Sequence, residues 1–160
     1  MSFERAFAIT AQLEKWDTTN TRGDPGGLTQ CGLSKVYNPD LDIGRLTPQQ
    51  VQAAYRTRYY DAHNCGLLPW PWDAALFDGW VNPGPGSISI TAEMQLALGT
   101  FPDGAIGPAT LLAAQHAGPW HVAEFVRRRL VRMSGATDAN LFLQGWTNRL
   151  FQLAYLIGSA

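Results

Sequence analysis

Prolines and glycines divide this chain of 160 residues into short segments, and most of these segments have helical spacing. Their apolar residues recur every three to four positions, whereas only Ser87–Ile90 briefly alternates with the two-residue period of a strand. The pattern predicts a mainly α-helical protein with a small β-ribbon in the 14–45 region. We expect helices near residues 2–15, 48–62, 73–81, 91–98, 108–117, 119–133 and 138–157. The clearest start signal is Thr47-Pro48 with Gln50, a capping box with proline at the first helical position.

The composition is that of a folded globular protein. Apolar residues make up 46% of the chain and charged residues 16%, and the length suffices for one domain with a real core. A net charge of −1 gives no indication of a nucleic-acid partner. The first residues carry Glu4 and Arg5 and no uninterrupted apolar run, and no segment approaches the length of a membrane span. We therefore expect a protein made in the cytoplasm without a signal peptide.

Glu14 is the strongest candidate for chemistry. Phe3, Phe7, Thr10 and Glu14 are spaced by four, three and four residues, which places them on one helix face. A carboxyl group that faces an apolar wall has a raised pKa, as a general acid near neutral pH requires. The alternative is an ordinary helix that ends at Lys15 with Glu14 exposed in its last turn.

A glycine-rich polar loop follows Glu14. Asp24–Gly27 reads Asp-Pro-Gly-Gly, a turn sequence, and Glu14 alone among the four glutamates precedes such a loop. The loop is expected to bring a second carboxylate, or a hydroxyl that holds a water, opposite Glu14. The candidates are Asp17, Asp24 and Thr29.

Neither cysteine belongs to a set with the spacing of metal ligands. Cys31 and Cys65 lie in loop-like sequence, and His116 and His121 do not share a helix face well. We expect neither a metal nor another cofactor. Whether the two thiols pair is left open, although reduced thiols are more usual in a cytosolic chain.

Two further groups of residues allow two interpretations each. The aromatic residues in the middle of the chain form either a surface for sugar rings or part of the core: Tyr55, Tyr59, Tyr60, Trp70, Trp72 and Trp80. A late arginine cluster consists of Arg127, Arg128, Arg129 and Arg132. It either contacts an anionic polymer or membrane surface, or is a solvated helix face, and we favour the solvated face.

The order of the motifs resembles glycoside hydrolase family 108, the lysozyme-like muramidases common in phage endolysins. A glutamate ends the first helix, and Asp24–Gly32 reads Asp-Pro-Gly-Gly-x-Thr-x-x-Gly. The later matching stretches are Phe77-Asp78 with Asn82 and Gly84, Gln95 with Leu96 and Leu98-Gly99, and Asp103-Gly104-x-Ile106-Gly107-Pro108-x-Thr110. The closing Gly145-Trp146-x-Asn148-Arg149 resembles the end of the predicted peptidoglycan-binding region that accompanies this catalytic part.

The resemblance implies a lysozyme-like helical globule. Residues 1–86 would be the catalytic part and residues 87–160 a helical peptidoglycan-binding-like part, packed together as one compact unit. Glu14 matches the catalytic glutamate, although Lys15, Trp16 and Asp17 stand where the family usually has Gly-Gly-Tyr. This departure makes Asp17 an additional acidic candidate.

The implied activity is that of an N-acetylmuramidase of the lysozyme type. It would cleave the β-1,4 bond between N-acetylmuramic acid and N-acetylglucosamine as a monomeric endolysin, released from the bacterial cytoplasm through a holin lesion. The implied catalytic residues are Glu14, Asp24 and Thr29, and the substrate-binding candidates are Asp17, Tyr60, Asp78, Asn82 and Gln95. The alternatives are a lytic transglycosylase and a non-catalytic peptidoglycan-binding module.

Overall fold

The computed structural model describes residues 3–14, 16–20, 27–85, 88–137 and 139–159. Within these ranges the α-helices are α1 (Phe3–Leu13), α2 (Pro48–Tyr55), α3 (Trp72–Val81), α4 (Ile90–Leu98), α5 (Pro108–His116), α6 (Pro119–Ser134) and α7 (Ala139–Gly158). The strands are β1 (Thr18–Thr19), β2 (Thr29–Gln30) and β3 (Leu33–Ser34). The predicted mainly α fold with a small β-ribbon is confirmed.

The β-ribbon lies beside the end of α1. Its strands are antiparallel in the order β1-β2-β3, with Thr19 opposite Thr29 and Gln30 opposite Leu33. Cys31 and Gly32 form the two-residue turn between β2 and β3, and both have positive φ, 49° and 77°. Two positive φ angles give a turn the twist of a tight hairpin, a geometry that glycine adopts without strain.

Helix α2 begins as its capping signal predicts. Thr47 and Gln50 form the reciprocal capping box, with Pro48 in the first turn. Beyond Tyr55 the same helical run continues as a π-helical turn, Arg56–Asp61, and a short 3₁₀ turn follows at Cys65–Leu67. The predicted single helix is therefore one α-helix with a π-helical end.

Helix α3 is the centre of the fold. Its residues from Trp72 to Gly79 are all buried, as expected for a helix that is apolar on nearly every side. It contacts α1, α4 and α7, and a Cβ on Gly79 would lie only 2.5 Å from Ile90, so α3 and α4 pack closely. One hydrophobic cluster includes Phe3 and Phe77 together with Leu153 of α7. The N-terminal and C-terminal parts therefore share a core.

Candidate active site

Glu14 follows directly after α1 and keeps the helical hydrogen bond, from its N–H to the carbonyl of Thr10 at 3.1 Å. Thr10 and Phe3 are buried on the same face of the helix, as the spacing predicts. The Glu14 side chain is only 19% exposed. The alternative of a solvent-exposed glutamate at the helix end therefore does not describe this residue.

A cleft of about 420 Å³ borders the Glu14 carboxyl. It is lined by Leu13, Glu14, Asp17, Thr19, Thr29 and Gly32, which come from the end of α1 and from the β-ribbon. Three residues singled out from sequence, Glu14, Asp17 and Thr29, thus meet at one cleft. The fourth, Asp24, lies outside the described residues.

Gly32 lets the β-ribbon approach the carboxyl closely. A Cβ at this position would lie 2.6 Å from the Tyr55 hydroxyl oxygen and 3.1 Å from Glu14 Oε2. The Tyr55 hydroxyl donates a hydrogen bond to the carbonyl of Cys31 at 2.9 Å, which ties the turn to α2. Burial raises the pKa of Tyr55, so this hydroxyl keeps its proton and remains a donor.

Arg149 of α7 forms an ion pair with Glu14. Its Nη1 lies 2.8 Å from Glu14 Oε1 and also donates to the carbonyl of Leu13 at 3.3 Å. Its Nη2 lies 2.7 Å from Oδ1 of Asp78 on α3. The arginine side chain is 11% exposed, so the pair is largely shielded from water.

Asp78 extends this arrangement inward. Its second oxygen, Oδ2, lies 3.3 Å from Nη1 of Arg129, and both side chains are fully buried. Arg129 also donates from Nη2 to the carbonyl of Asn82 at 2.7 Å. Glu14, Arg149, Asp78 and Arg129 therefore form a chain of alternating charges, hereafter the buried ion chain. With Glu14 ionised, its formal charges sum to zero.

The pKa of Glu14 is raised above its ordinary value. Burial is the largest cause, since removal from water disfavours the charged form. The charge and hydrogen bond of Arg149 act in the opposite direction, and the charge of Asp78 adds to the increase. Glu14 consequently keeps its proton to a higher pH than an exposed glutamate, which is the property of a general acid.

Comparison with known proteins identifies the region that holds this cleft. The glycosyl hydrolase 108 family model matches residues 8–84. This region, just under half of the chain, is similar to the glycosyl hydrolase 108 family. It contains Glu14, Asp17, Thr29 and Asp78 and ends before Arg149.

A solved structure supports the fold over nearly the whole chain. The structure of Brucella abortus SagA is similar with a TM-score of 0.81 at 23% identity, covering 98% of this chain and 94% of that chain. None of the curated proteins matches the chain significantly. The glycosyl hydrolase 108 match stops at residue 84, so the peptidoglycan-binding role of residues 87–160 remains a prediction.

Thr29 and Asp17 are two other polar residues of the Glu14 cleft, which Thr19 also lines. The Thr29 hydroxyl donates to the carbonyl of Gly27 at 3.2 Å, which leaves its oxygen free to accept a hydrogen bond from water. Asp17 is exposed, and its carbonyl accepts a hydrogen bond from the N–H of Cys31 at 2.9 Å. The hydroxyl is thus held in one orientation, whereas the carboxylate is open to solvent.

The other residues predicted to bind substrate have different contacts. Tyr60 is buried against Phe3 and Phe77, and its hydroxyl faces Asp73 at 3.4 Å. The Asp78 side chain is buried in the ion chain and does not line the cleft. Both side chains are therefore buried within the fold, and their contact with substrate stays a prediction.

Asn82 and Gln95 also hold the protein together. Asn82 offers its backbone carbonyl to Arg129. The buried Gln95 amide donates to Asp103 at 2.7 Å and to the Thr110 hydroxyl at 3.0 Å, and its oxygen accepts from the N–H of Gly104 at 2.8 Å. Gln95 thus fixes the loop before α5 by hydrogen bonds, and its contact with substrate stays a prediction.

The three tryptophans Trp70, Trp72 and Trp80 pack against other residues of the protein. Trp72 is buried in the core, and Trp70 and Trp80 are half-buried. Trp80 stacks on His63 with ring centroids 3.6 Å apart, and the Arg5 guanidinium lies 3.7 Å above Trp70. None of these three tryptophans lines the Glu14 cleft.

The late arginine cluster is not one basic surface. Arg129 belongs to the buried ion chain, and Arg132 lies 3.0 Å from Glu93 with its side chain 14% exposed. Arg127 and Arg128 lie on the surface and pair with Glu124 at 2.6 Å and 2.8 Å. Of the four arginines, Arg127 and Arg128 are therefore the more exposed pair, and contact with an anionic surface stays a prediction.

Both cysteines are buried free thiols. Over the part of the chain that the structure describes, no three histidine, cysteine, aspartate or glutamate residues lie together as a metal site would require. No helix in the same ranges is long and apolar enough to cross a membrane.

Sequence reasoning missed Arg149 as a site residue, along with Gly32 and Tyr55. A signal for Arg149 existed, because it is the one charged residue in the mostly apolar 20-residue sequence of α7. A lone arginine in an otherwise uncharged helix favours a carboxylate partner elsewhere in the fold.

Proposed function

We propose that this protein is a peptidoglycan hydrolase of the glycosyl hydrolase 108 type, in which Glu14 is the general acid. The bond cleaved is the β-1,4 bond between N-acetylmuramic acid and N-acetylglucosamine. The observation that carries the proposal is the Glu14 carboxyl, mostly buried and raised in pKa, at the wall of a polar cleft. A protonated carboxylic acid in this position can protonate the oxygen of a glycosidic bond.

The second half of the reaction needs a group on the other side of the sugar ring. Thr29 is suited to hold a water on that side of the ring. Its hydroxyl donates to the carbonyl of Gly27, and the hydroxyl oxygen is still free to accept a hydrogen bond from the water. Asp17 lines the same cleft and supplies the negative charge that favours an oxocarbenium-like transition state. We assign Thr29 the role of positioning the water and Asp17 that of electrostatic stabilisation. Asp24 remains the catalytic candidate implied by the family resemblance.

The test is replacement of the acid by its uncharged isostere. Glu14→Gln keeps the size of the side chain but holds no proton to donate, so release of soluble fragments from purified peptidoglycan should fall by a factor of about 10² to 10⁴. Zymography and fragment release compare the wild type with Glu14→Gln, and circular dichroism checks the fold. If Glu14→Gln is as active as the wild type, Glu14 is not the acid. A wild type that binds insoluble peptidoglycan but releases nothing would instead be a binding module.

One observation favours a lytic transglycosylase as the second candidate. Of the two carboxylates among the described residues that line the cleft, only Glu14 is shielded, and a transglycosylase needs a single acid/base glutamate. The two reactions leave different ends on the glycan. Mass spectrometry of the released fragments separates them, because the transglycosylase produces 1,6-anhydromuramic ends and the hydrolase produces reducing ends.

We further propose that the protein acts as a monomeric endolysin on the bacterial cell wall after release through a holin lesion. This setting follows from the proposed substrate and from the family resemblance of the motifs. Lysis by the protein expressed in a bacterium with and without a co-expressed holin tests it. Equal lysis in both strains would contradict holin-dependent release.

A further inference from the structure

We propose that Arg149 and Asp78 position the Glu14 carboxyl, so that helix α7 completes the active site that residues 8–84 begin. The proposal rests on the proposed function, since it assigns these residues to the reaction of Glu14. It makes the C-terminal region part of the catalytic unit as well as a candidate wall-binding part.

The guanidinium of Arg149 joins three elements at one point. Its two terminal nitrogens contact Glu14 Oε1, the Leu13 carbonyl at the end of α1 and Asp78 Oδ1 of α3. A planar guanidinium fixes its partners in direction as well as distance, which a flexible ammonium group does not. The carboxyl of Glu14 is therefore held by α7 and α3, and not by its own helix alone.

This contact distinguishes the two oxygens of Glu14. Arg149 binds Oε1, whereas Oε2 is the oxygen nearest Gly32, which lines the cleft. The proton of the acid is expected on Oε2, because Arg149 has only donors and Oε1 must accept from it. Arg149 thus turns the protonated oxygen toward the substrate.

The cost of the arrangement also argues for function. A buried ion pair is poor at increasing stability, because removal of each charge from water offsets most of the attraction. The Nε groups of Arg149 and Arg129 are buried and have no hydrogen-bond partner among the described residues. Apolar side chains would fill this space at less cost, so precise placement of Glu14 accounts for the ion chain better than stability does.

The charged groups around Glu14 shift its pKa in opposite directions. Arg149 pairs with Glu14, Asp78 pairs with Arg149, and Asp17 lines the same cleft as Glu14. Tyr55 and Tyr59 stay neutral because burial raises the pKa of each. Arg149 lowers the pKa of Glu14 and Asp78 raises it. Removal of the Arg149 charge should therefore raise that pKa further, and removal of the Asp78 charge should lower it.

The experiment compares Arg149→Met, Arg149→Lys and Asp78→Asn with the wild type, and Arg56→Met is the matched control for loss of a surface arginine. Two quantities are measured: the pKa of the Glu14 carboxyl by carbon NMR, and the pH profile of fragment release from purified peptidoglycan. Thermal unfolding confirms that each variant is folded. The NMR measurement needs no activity, so it is informative even if the substrate is different.

Arg149→Met should raise the pKa of Glu14 by about one unit and move the alkaline limb of activity upward by the same amount. Its kcat should fall at least about tenfold, because the carboxyl loses its fixed orientation. Arg149→Lys should keep the pKa near that of the wild type yet lose kcat. Asp78→Asn should shift both the pKa and the limb downward, and Arg56→Met should change neither.

Failure of this proposal is separate from failure of the proposed function. If folded Arg149→Met keeps the wild-type kcat and pH profile while Glu14→Gln is inactive, Arg149 is not a positioning residue although the hydrolase assignment stands. If the wild type releases no fragments, the proposed function fails. An unchanged Glu14 pKa in Arg149→Met would then also overturn the link between α7 and the carboxyl.

Discussion

Asp78 and Glu124 make the same kind of contact in two different environments, since each carboxylate binds two arginines. Asp78 is fully buried and binds Arg129 and Arg149, which follow it by 51 and 71 residues in the chain. Its partners come from two separate helices, α6 and α7, so these contacts exist only in the folded protein.

Glu124 binds its two arginines within a single helix. Arg127 and Arg128 follow it by three and four residues, and the Arg127 side chain is 57% exposed. The hydrogen bond with Arg127 holds the pKa of Glu124 well below its usual range, at about 2, yet water and salt screen such a pair. The comparison shows that burial and long-range packing, rather than residue type, separate a buried ion network from a surface one.

The largest expected difference between the two networks is in stability, when the carboxylate at the centre of each is removed. Asp78→Ala leaves Arg129 buried without its ion-pair partner, so the free energy of unfolding should fall by about 3–5 kcal/mol. Glu124→Ala leaves two surface arginines in water and should change the denaturant midpoint very little. Urea unfolding of both variants measures the difference. Equal losses of stability would show that burial does not distinguish the two carboxylates.

A smaller effect tests the close contact between the β-ribbon and the buried ion chain. Gly32→Ala places a methyl group against the Tyr55 hydroxyl and Glu14 Oε2, at a residue whose φ is +77°. Fragment release should fall at least about tenfold, since displacement of a reacting group by about 1 Å has large effects on rate.

The matched control for Gly32→Ala is Gly99→Ala. Gly99 has a similar φ of +72°, but nothing lies within 4 Å of its added methyl group. Both variants should lose about 1–2 kcal/mol of stability from the left-handed backbone. If Gly99→Ala lost as much activity as Gly32→Ala, backbone strain rather than the contact with Glu14 would be responsible.

The sequence predicted local structure well because local structure depends on near neighbours. The capping box at Thr47 and Gln50 and the proline at the start of α5 are visible within a few residues. The spacing of Phe3, Thr10 and Glu14 likewise indicated which face of α1 is buried. These features need no knowledge of the rest of the fold.

The site was only partly predictable because its partners are distant in the chain. Glu14 and Thr29 were found from a helix end and a polar loop, whereas the pairing of Glu14 with Arg149 spans most of the chain. Asp78 was expected to contact substrate, since a polar residue in a motif gives no sign of whether it faces a cleft or an arginine. Hydrophobic periodicity locates a buried face but does not say which helix covers it.

The smallest expected effect concerns the surface pair of the comparison, Arg127 and Arg128. Their joint replacement by alanine should leave fragment release from purified peptidoglycan unchanged, because neither residue lines the Glu14 cleft. If they contact anionic lipid, as we propose from their exposed position, killing of intact cells should fall about twofold to tenfold. Parallel assays on purified walls and intact cells measure this difference, with added salt as a second test because screening weakens surface attraction. If the double variant is as active as the wild type on both substrates, the two arginines belong to a solvated helix face. A loss of activity on purified walls would mean that α6 contributes to the site in a way that the buried ion chain does not explain.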